Sequence, residues 1–242
     1  MKDEAKGLAG KVAIVSGGSG AIGRAILEAF DQAGARAVSL DVSDLGNKRA
    51  WVKCDLREES SVIAAVQSVF KEQGRLDFVV HAAGISRDSV IWKMRAEDWD
   101  SVQAVNLRGA FLLLHHSIPL LRQSAGGRIV LIGSINGSRG KFGTSAYSAS
   151  KAGLIGLAKS IAREVGRFGI LVNVVEPGWV RTPLTEVVPQ AVKDAALAES
   201  LLGSFLEPLD VAASVLFLCG PGATHVTGQV LRVDGGQYLG GA

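Results

Sequence analysis

Short β-branched and aliphatic runs alternate along the chain with longer stretches in which apolar residues recur every three or four positions. Residues 11–16 (KVAIVS) form the first run. A glycine-rich turn closes it, and residues 22–33 then place Ile22, Ile26, Leu27 and Phe30 on one helical face. The strand signal returns at 35–41, 51–54, 76–81, 128–132, 170–175 and 229–233, with segments of helical length at 58–73, 99–123, 146–168 and 208–218. The runs are apolar throughout, without a clean in/out alternation, as expected of strands covered on both faces. The pattern therefore predicts an α/β fold: a doubly wound, Rossmann-type domain with a seven-stranded parallel sheet flanked by helices. Ligands of such sheets bind at the carboxyl ends of the strands, which directs attention to the residues after each strand.

One segment interrupts this rhythm. Residues 182–207 form a long insertion carrying Leu184, Val187, Val188, Leu197, Leu201, Leu202 and Phe205. It reads as an apolar helical lid over a substrate, with a peripheral helix pair as the alternative. No internal repeat or long linker divides the chain, so residues 1–242 are expected to form a single domain.

Composition narrows the class. With 48% hydrophobic and 20% charged residues the chain is globular, and its 30 glycines are scattered and mark turns. A net charge of +3, from 26 basic and 23 acidic residues, gives no field for nucleic acid or anionic lipid, so neither partner is expected. The N-terminal MKDEAKGLAGK has no apolar core, and the apolar stretch 110–121 is broken by His115, His116 and Pro119. Export and membrane insertion are therefore not expected, and a cytoplasmic location is. Cys54 and Cys219 have no metal-ligand spacing and read as buried thiols; no metal site is expected.

The first turn, Ser16-Gly17-Gly18-Ser19-Gly20-Ala21-Ile22-Gly23, has the chemistry of a phosphate cradle: absent side chains let backbone N–H groups and a helix N-terminus approach a pyrophosphate. Two frames fit, G-x-G-x-x-G from Gly18 and G-x-x-x-A-x-G from Gly17. Asp41, 18 residues after Gly23, ends the second strand, where a carboxylate can accept the ribose hydroxyls of NAD; alone it could equally be a turn aspartate. Arg36, Lys48 and Arg49 lie nearby in sequence, but none occupies the strand end.

Tyr147 and Lys151 stand four residues apart, on one face of the expected helix. A phenol titrates near pH ~10, so it serves as a base only if neighbouring positive charge favours phenolate. A Tyr-x-x-x-Lys pair by itself is common on solvated helices, and Ser134 or Asn106 alone would pass for turn or cap residues.

In combination these residues say more. The glycine turn 17–23, Asn106 in AVNLRGAF, Ser134 in IVLIGS, YSASK at 147–151 and PGWVRT at 177–182 together resemble the short-chain dehydrogenase/reductase family over essentially the whole chain. The resemblance implies that Tyr147 is the acid/base on the alcohol oxygen and that Ser134 hydrogen-bonds that oxygen. It implies that Lys151 lowers the Tyr147 pKa and holds the nicotinamide ribose, and that Asn106 anchors a water relaying the proton. It also assigns cofactor contacts to Gly17, Ser19, Ala21, Ile22 and Gly23, to Asp41, and to Asp55 and Leu56 near the adenine. Further contacts fall to Ala82, Ala83 and Gly84, and to Pro177, Gly178, Val180 and Thr182 beside the nicotinamide. Two departures from the family pattern stand out: Ala21 replaces a glycine and tightens the turn, and His81-Ala82-Ala83-Gly84 replaces Asn-Asn-Ala-Gly, with His81 read as a structural substitute.

Residues 85–88 (ISRD), 92–94 (WKM) and 98–100 (DWD) resemble 3-oxoacyl-carrier-protein and acetoacetyl-CoA reductases, which implies a 3-hydroxyacyl/3-oxoacyl thioester substrate. Asp41 points to NAD instead of the NADPH those reductases mostly use. A cyclic or small apolar secondary alcohol is the alternative substrate, and a non-catalytic dinucleotide sensor or scaffold the alternative function. Relatives of this kind are commonly tetramers, and the apolar residues 226–233 could pair across a subunit boundary, so a homotetramer is expected.

Overall fold

The computed structural model describes residues 7–44, 46, 50–124 and 126–240, the side chain of Leu184 excepted. Seven strands, β1 (Val12–Ser16), β2 (Arg36–Asp41), β3 (Trp51–Lys53), β4 (Phe78–His81), β5 (Arg128–Ile132), β6 (Leu171–Pro177) and β7 (Val230–Val233), form one parallel sheet. Their order is β3-β2-β1-β4-β5-β6-β7. This is the expected Rossmann-type architecture.

Residues alternate between the two faces of each strand, and both faces are buried. In β1, Val12 and Ile14 join one core with residues of α2 (Glu59–Gln73), α4 (Gly109–Leu121) and α6 (Ser145–Val165). Ala13 and Val15 join the other, built with α1 (Ala21–Gln32) and α9 (Pro208–Cys219). Burying each Val, Leu or Ile on these faces contributes about 1.5–3 kcal/mol, which explains why strand interiors read as unbroken apolar runs. Ser16 and His81, both buried and polar, are the last residues of β1 and β4. Between those two strands the chain order reverses, opening the crevice in which such sheets bind ligands.

Several boundaries differ from the expected ones. The helix expected over 99–123 starts earlier, as α3 (Ala96–Gln103), widens into a π turn (Ala104–Arg108) and resumes as α4, with Pro119 inside its last turn. The segment expected to be helical over 146–168 is α6 followed by a 3₁₀ turn (Gly166–Phe168). Strand β6 runs on to Pro177, carrying the chain to the cleft. A short helix, α5 (Ile135–Arg139), follows Ser134 where no helix was expected. The insertion contains α7 (Pro183–Glu186) and α8 (Gln190–Ala198) and is tied back by a bridge between Val180 and Leu206.

Candidate active site

The glycine turn is shaped by close approach. Gly17 has φ +73°, and a Cβ there would lie 2.5 Å from the backbone of Ala83. At Gly23 a Cβ would collide with the Gly17 carbonyl oxygen and lie 2.8 Å from Gly18 Cα. Ala21, the first residue of α1, is accommodated on the cleft wall. No side chain caps α1, so its first-turn N–H groups have no partner within the helix and the positive end of its dipole faces the cleft.

Asp41 is joined to this turn: one carboxylate oxygen accepts the Ser19 hydroxyl at 2.6 Å and the Ser19 N–H at 3.0 Å, and the other accepts Ser43 N–H at 3.2 Å. Arg36 stands at the opposite end of β2 and pairs with Glu72. Five residues of strand put it roughly 16 Å from Asp41. Lys48 and Arg49 lie outside the described residues. The cation that touches the turn is Arg24, whose Nε donates to the Ser19 carbonyl at 3.0 Å.

Most of the remaining expected residues meet in one cleft of about 800 Å³ at the carboxyl end of the sheet. Its wall includes Gly17, Ser19, Ala21, Ile22 and Gly23, then Ala82, Gly84, Ser134, Tyr147 and Lys151, and then Pro177, Gly178, Val180 and Thr182. Besides Asp41, which reaches the turn through Ser19, three expected cofactor residues are not brought to that wall. Ala83 packs behind Gly17, Leu56 is buried against Gly109, and Asp55 is paired with Arg57 at 2.6 Å.

Ser134 N-caps α5: its Oγ accepts Asn136 N–H at 3.2 Å and keeps its own proton to donate. Its hydroxyl lies near the Tyr147 phenol on the cleft wall. Lys151, one turn along α6, is buried and donates to the Ile132 carbonyl at 2.8 Å, with its Nζ 5.6 Å from the centre of the Tyr147 ring. Burial pushes the Tyr147 phenol above its ordinary value; the Ser134 hydroxyl pulls it back, and the charge of Asp88 adds to the rise. Burial also pulls Lys151 down to about 8. The protein's own groups thus keep the proton on Tyr147.

Asn106 lies in the π turn and is buried. Its Oδ1 accepts Ile85 N–H at 2.8 Å, and its amide donates to Ile85 O at 2.9 Å and Ser150 Oγ at 3.0 Å. A Cβ on Gly84 would lie 3.2 Å from Lys151 Nζ and 3.6 Å from Asn106 Oδ1, so these side chains approach each other across a glycine.

The substrate side of the cleft is mixed. Phe142, Trp179, Val188 and Val192 supply apolar wall, and Ser86, Asp88, Asn136 and Lys141 supply polar groups. Trp179 stacks on Phe205 of the insertion at 5.4 Å between ring centres. Arg139 ties α5 to Glu199 after α8 at 2.8 Å and to the Gln237 carbonyl at 3.1 Å. Burial pushes Glu199 up, but its bonds to Arg139 and Gln237 outweigh this and hold its carboxyl below the ordinary value. Arg24 and Arg139 had no sequence signal, and Asp88 and Ser150 stood only inside the ISRD and YSASK stretches with no role assigned until the fold turns them toward the site.

A family model described as enoyl-(acyl carrier protein) reductase matches residues 17–237. The chain is 36% identical to the 3-oxoacyl-[acyl-carrier-protein] reductase of Thermotoga maritima, covering 96% of this chain and 99% of that protein. It is 34% identical to the 3-oxoacyl-[acyl-carrier-protein] reductase of Escherichia coli, covering 95% and 98%. Among solved structures, the aldohexose dehydrogenase of Thermoplasma acidophilum in ligand-free form superimposes with a TM-score of 0.93 at 32% identity, covering 98% of this chain and 97% of that one.

Proposed function

The chain belongs to the short-chain dehydrogenase/reductase family, and from that premise we propose that it interconverts a secondary alcohol and its ketone with NAD, acting on a 3-hydroxyacyl/3-oxoacyl thioester. The observation that carries the reaction type is the meeting of Ser134, Tyr147 and Lys151 in the cleft that begins at the glycine turn. The thioester rests on the two reductases matched at full length, whose names specify 3-oxoacyl substrates.

The cradle fits a nicotinamide dinucleotide, because a side chain at Gly17 or Gly23 would fill the space and α1 turns free N–H groups toward it. Gly17, Ser19, Ala21, Ile22 and Gly23 would hold its phosphates, Asp41 its adenosine ribose, and Ala82, Gly84, Pro177, Gly178, Val180 and Thr182 its nicotinamide half. When bound, that group accepts or supplies the hydride. Ser134 and Tyr147 then present two hydroxyls to a single substrate oxygen. Two donors on one oxygen suit a carbonyl better than a carbon–carbon double bond, although the matched family model is described as an enoyl reductase. Tyr147 gives its proton to the ketone oxygen in reduction and takes one from the alcohol in oxidation. Lys151, held by Ile132, keeps a positive charge beside the phenol. Asn106 spends both amide hydrogens on Ile85 and Ser150, and the second lone pair of its Oδ1 remains to accept from a relay water.

Residues 182–207 act as the lid in this reading, supported by Val188 and Val192 on the cleft wall and by the Trp179–Phe205 stack. A homotetramer is part of the same proposal: β7 pairs with β6 on one side and ends the sheet on the other, leaving an edge for a second copy. A monomeric mass by light scattering at micromolar concentration would contradict it.

A second substrate reading has its own support. Ser86 hydrogen-bonds Asp88 on the cleft wall, a pair suited to additional substrate hydroxyls, and the superimposed structure is an aldohexose dehydrogenase. The deciding experiment follows NADH absorbance with acetoacetyl-CoA, a cyclic ketone and, in the oxidative direction, aldohexoses. Turnover of the thioester well above the others is the expected result. Preference for a sugar or a cyclic ketone would replace the substrate. Tight NADH binding without any turnover would favour a dinucleotide sensor.

A further inference from the structure

His81 is fully buried at the end of β4, where β4 lies between β1 and β5, and it makes two hydrogen bonds in opposite directions. Nδ1 is 2.9 Å from Ser16 Oγ, and Nε2 is 3.1 Å from the main-chain carbonyl of Asn106. A carbonyl only accepts, so Nε2 carries the proton and Nδ1 accepts from the serine; the partners fix the tautomer. Burial, reinforced by the charge of Lys151 and only partly opposed by the Asn106 carbonyl, pulls the imidazole down to about 3, so it stays neutral at working pH.

Its two partners belong to different halves of the site. Ser16 immediately precedes Gly17, whose backbone packs on Ala83 and opens the phosphate cradle. Asn106 sits where Gly109 N–H reaches back to Ala104 O and the helix widens, and its side chain grips Ile85 and Ser150, the neighbour of Lys151. A π turn is a rare, locally irregular segment found frequently at functional sites. Ile85 and Ser150 hold the side chain of Asn106; His81 holds its main chain.

We propose that His81 is a positioning residue for the reaction, its imidazole bracing the Asn106 π turn against Ser16 so that the cofactor cradle and the proton-handling residues keep one register. The inference rests on the reading that Asn106, Tyr147 and Lys151 handle the proton. A rigid ring that donates at one edge and accepts at the other suits this span. Phenylalanine would fill the volume and make neither bond, whereas glutamine can donate to the carbonyl.

The test compares His81→Phe and His81→Gln with the unmodified enzyme, measuring kcat, the KM for cofactor, the solvent deuterium isotope effect and the melting temperature. His81→Phe should lower kcat about ten- to a hundredfold, since small displacements of a catalytic array have effects of that order. Its cofactor KM should change less than about threefold, and its isotope effect should grow as the proton step becomes limiting. His81→Gln should recover most of kcat. Should His81→Phe fail to fold, Ser16→Ala removes only the outer bond, and an unchanged kcat there overturns the proposal. It is equally overturned if His81→Phe keeps kcat, if Gln is as impaired as Phe, or if kcat and KM fall together in step with melting temperature. Tyr147→Phe separates the layers: an active Tyr147→Phe enzyme sinks the underlying mechanism, whereas an inactive one beside a fully active His81→Phe enzyme sinks the His81 inference alone.

Discussion

Lys151 gives its ammonium to the carbonyl oxygen of Ile132 at 2.8 Å, and no carboxylate among the described residues pairs with it. A buried cation satisfied only by neutral groups carries a desolvation cost, which appears as its pKa of about 8. The unfolded chain holds this proton up to pH ~10.4, so between about 8 and 10.4 the unfolded state binds more protons and stability rises with pH. Below that window the fold bears the full cost, on the order of 3 kcal/mol. Lys151→Met should therefore be more stable than the unmodified protein at pH 7, gain nothing from pH 7 to 9.5, and lose turnover. Urea midpoints at the two pH values check this; parallel pH slopes in both proteins would show that the ammonium is not the source.

In the proposed reaction Tyr147 is the group through which the proton passes, and its neighbour Ser134 is held by Asn136. Tyr147→Phe keeps the ring and removes the proton. It should lower turnover by about 10²–10⁴, the usual scale for a positioned acid/base, and leave NADH affinity measured by fluorescence nearly unchanged. Near-normal activity with a good substrate would mean that another group carries the proton.

The strands were legible because apolar runs mark buried strands, and the places of Ser134, Tyr147 and Lys151 at a strand end or on one helix face were legible too, but the roles proposed for them came only with the family resemblance. The π turn was hidden. Ala104-Val105-Asn106-Leu107-Arg108 contains no helix breaker, and what surrounds the widened turn are distant residues, His81 on its main chain and Ile85 and Ser150 on the Asn106 side chain. The helix α5 was hidden for the opposite reason. Gly137 reads as a turn residue, but a Cβ there would lie 2.9 Å from the backbone of Ala152, so it is glycine that lets α5 pack directly on α6 behind Lys151. Asp55 and Leu56 came only with the resemblance, and here their side chains are taken by Arg57 and by the core.

Asp88 adds an adjustable charge to the site. Burial is the main reason the Tyr147 phenol sits high and Ser134 opposes it, but the Asp88 carboxylate also disfavours phenolate. Asp88→Asn removes that repulsion and should move the alkaline rise of the oxidation rate to lower pH, with the fall of the reduction rate moving the same way. The pH profile of kcat/KM in both directions reads this out. A midpoint that stays put, or moves upward, would mean that Asp88 does not act on the phenol.

The proposed preference for NAD rests on Asp41 and its bond to Ser19. The carboxylate is fixed at the end of β2 by three hydrogen bonds, two of them to the glycine turn, so it cannot swing away from a group arriving beside Ser19. The ribose hydroxyls of NAD can donate to its remaining lone pairs, whereas the 2′-phosphate of NADP would meet like charge, at a cost of several kcal/mol. At roughly 1.4 kcal/mol per tenfold, two such steps correspond to about a hundredfold preference for NAD in kcat/KM. Arg36 is too distant to blunt this, at the far end of the strand and paired with Glu72. Arg24 is the cation to watch, since its guanidinium already touches the Ser19 carbonyl. Asp41→Ser should shrink the preference mainly by improving kcat/KM with NADP, and adding Arg24→Ala to it should take part of that gain away again. Equal efficiency with NADP in the unmodified enzyme would show that Asp41 serves only to anchor Ser19 and does not read the ribose.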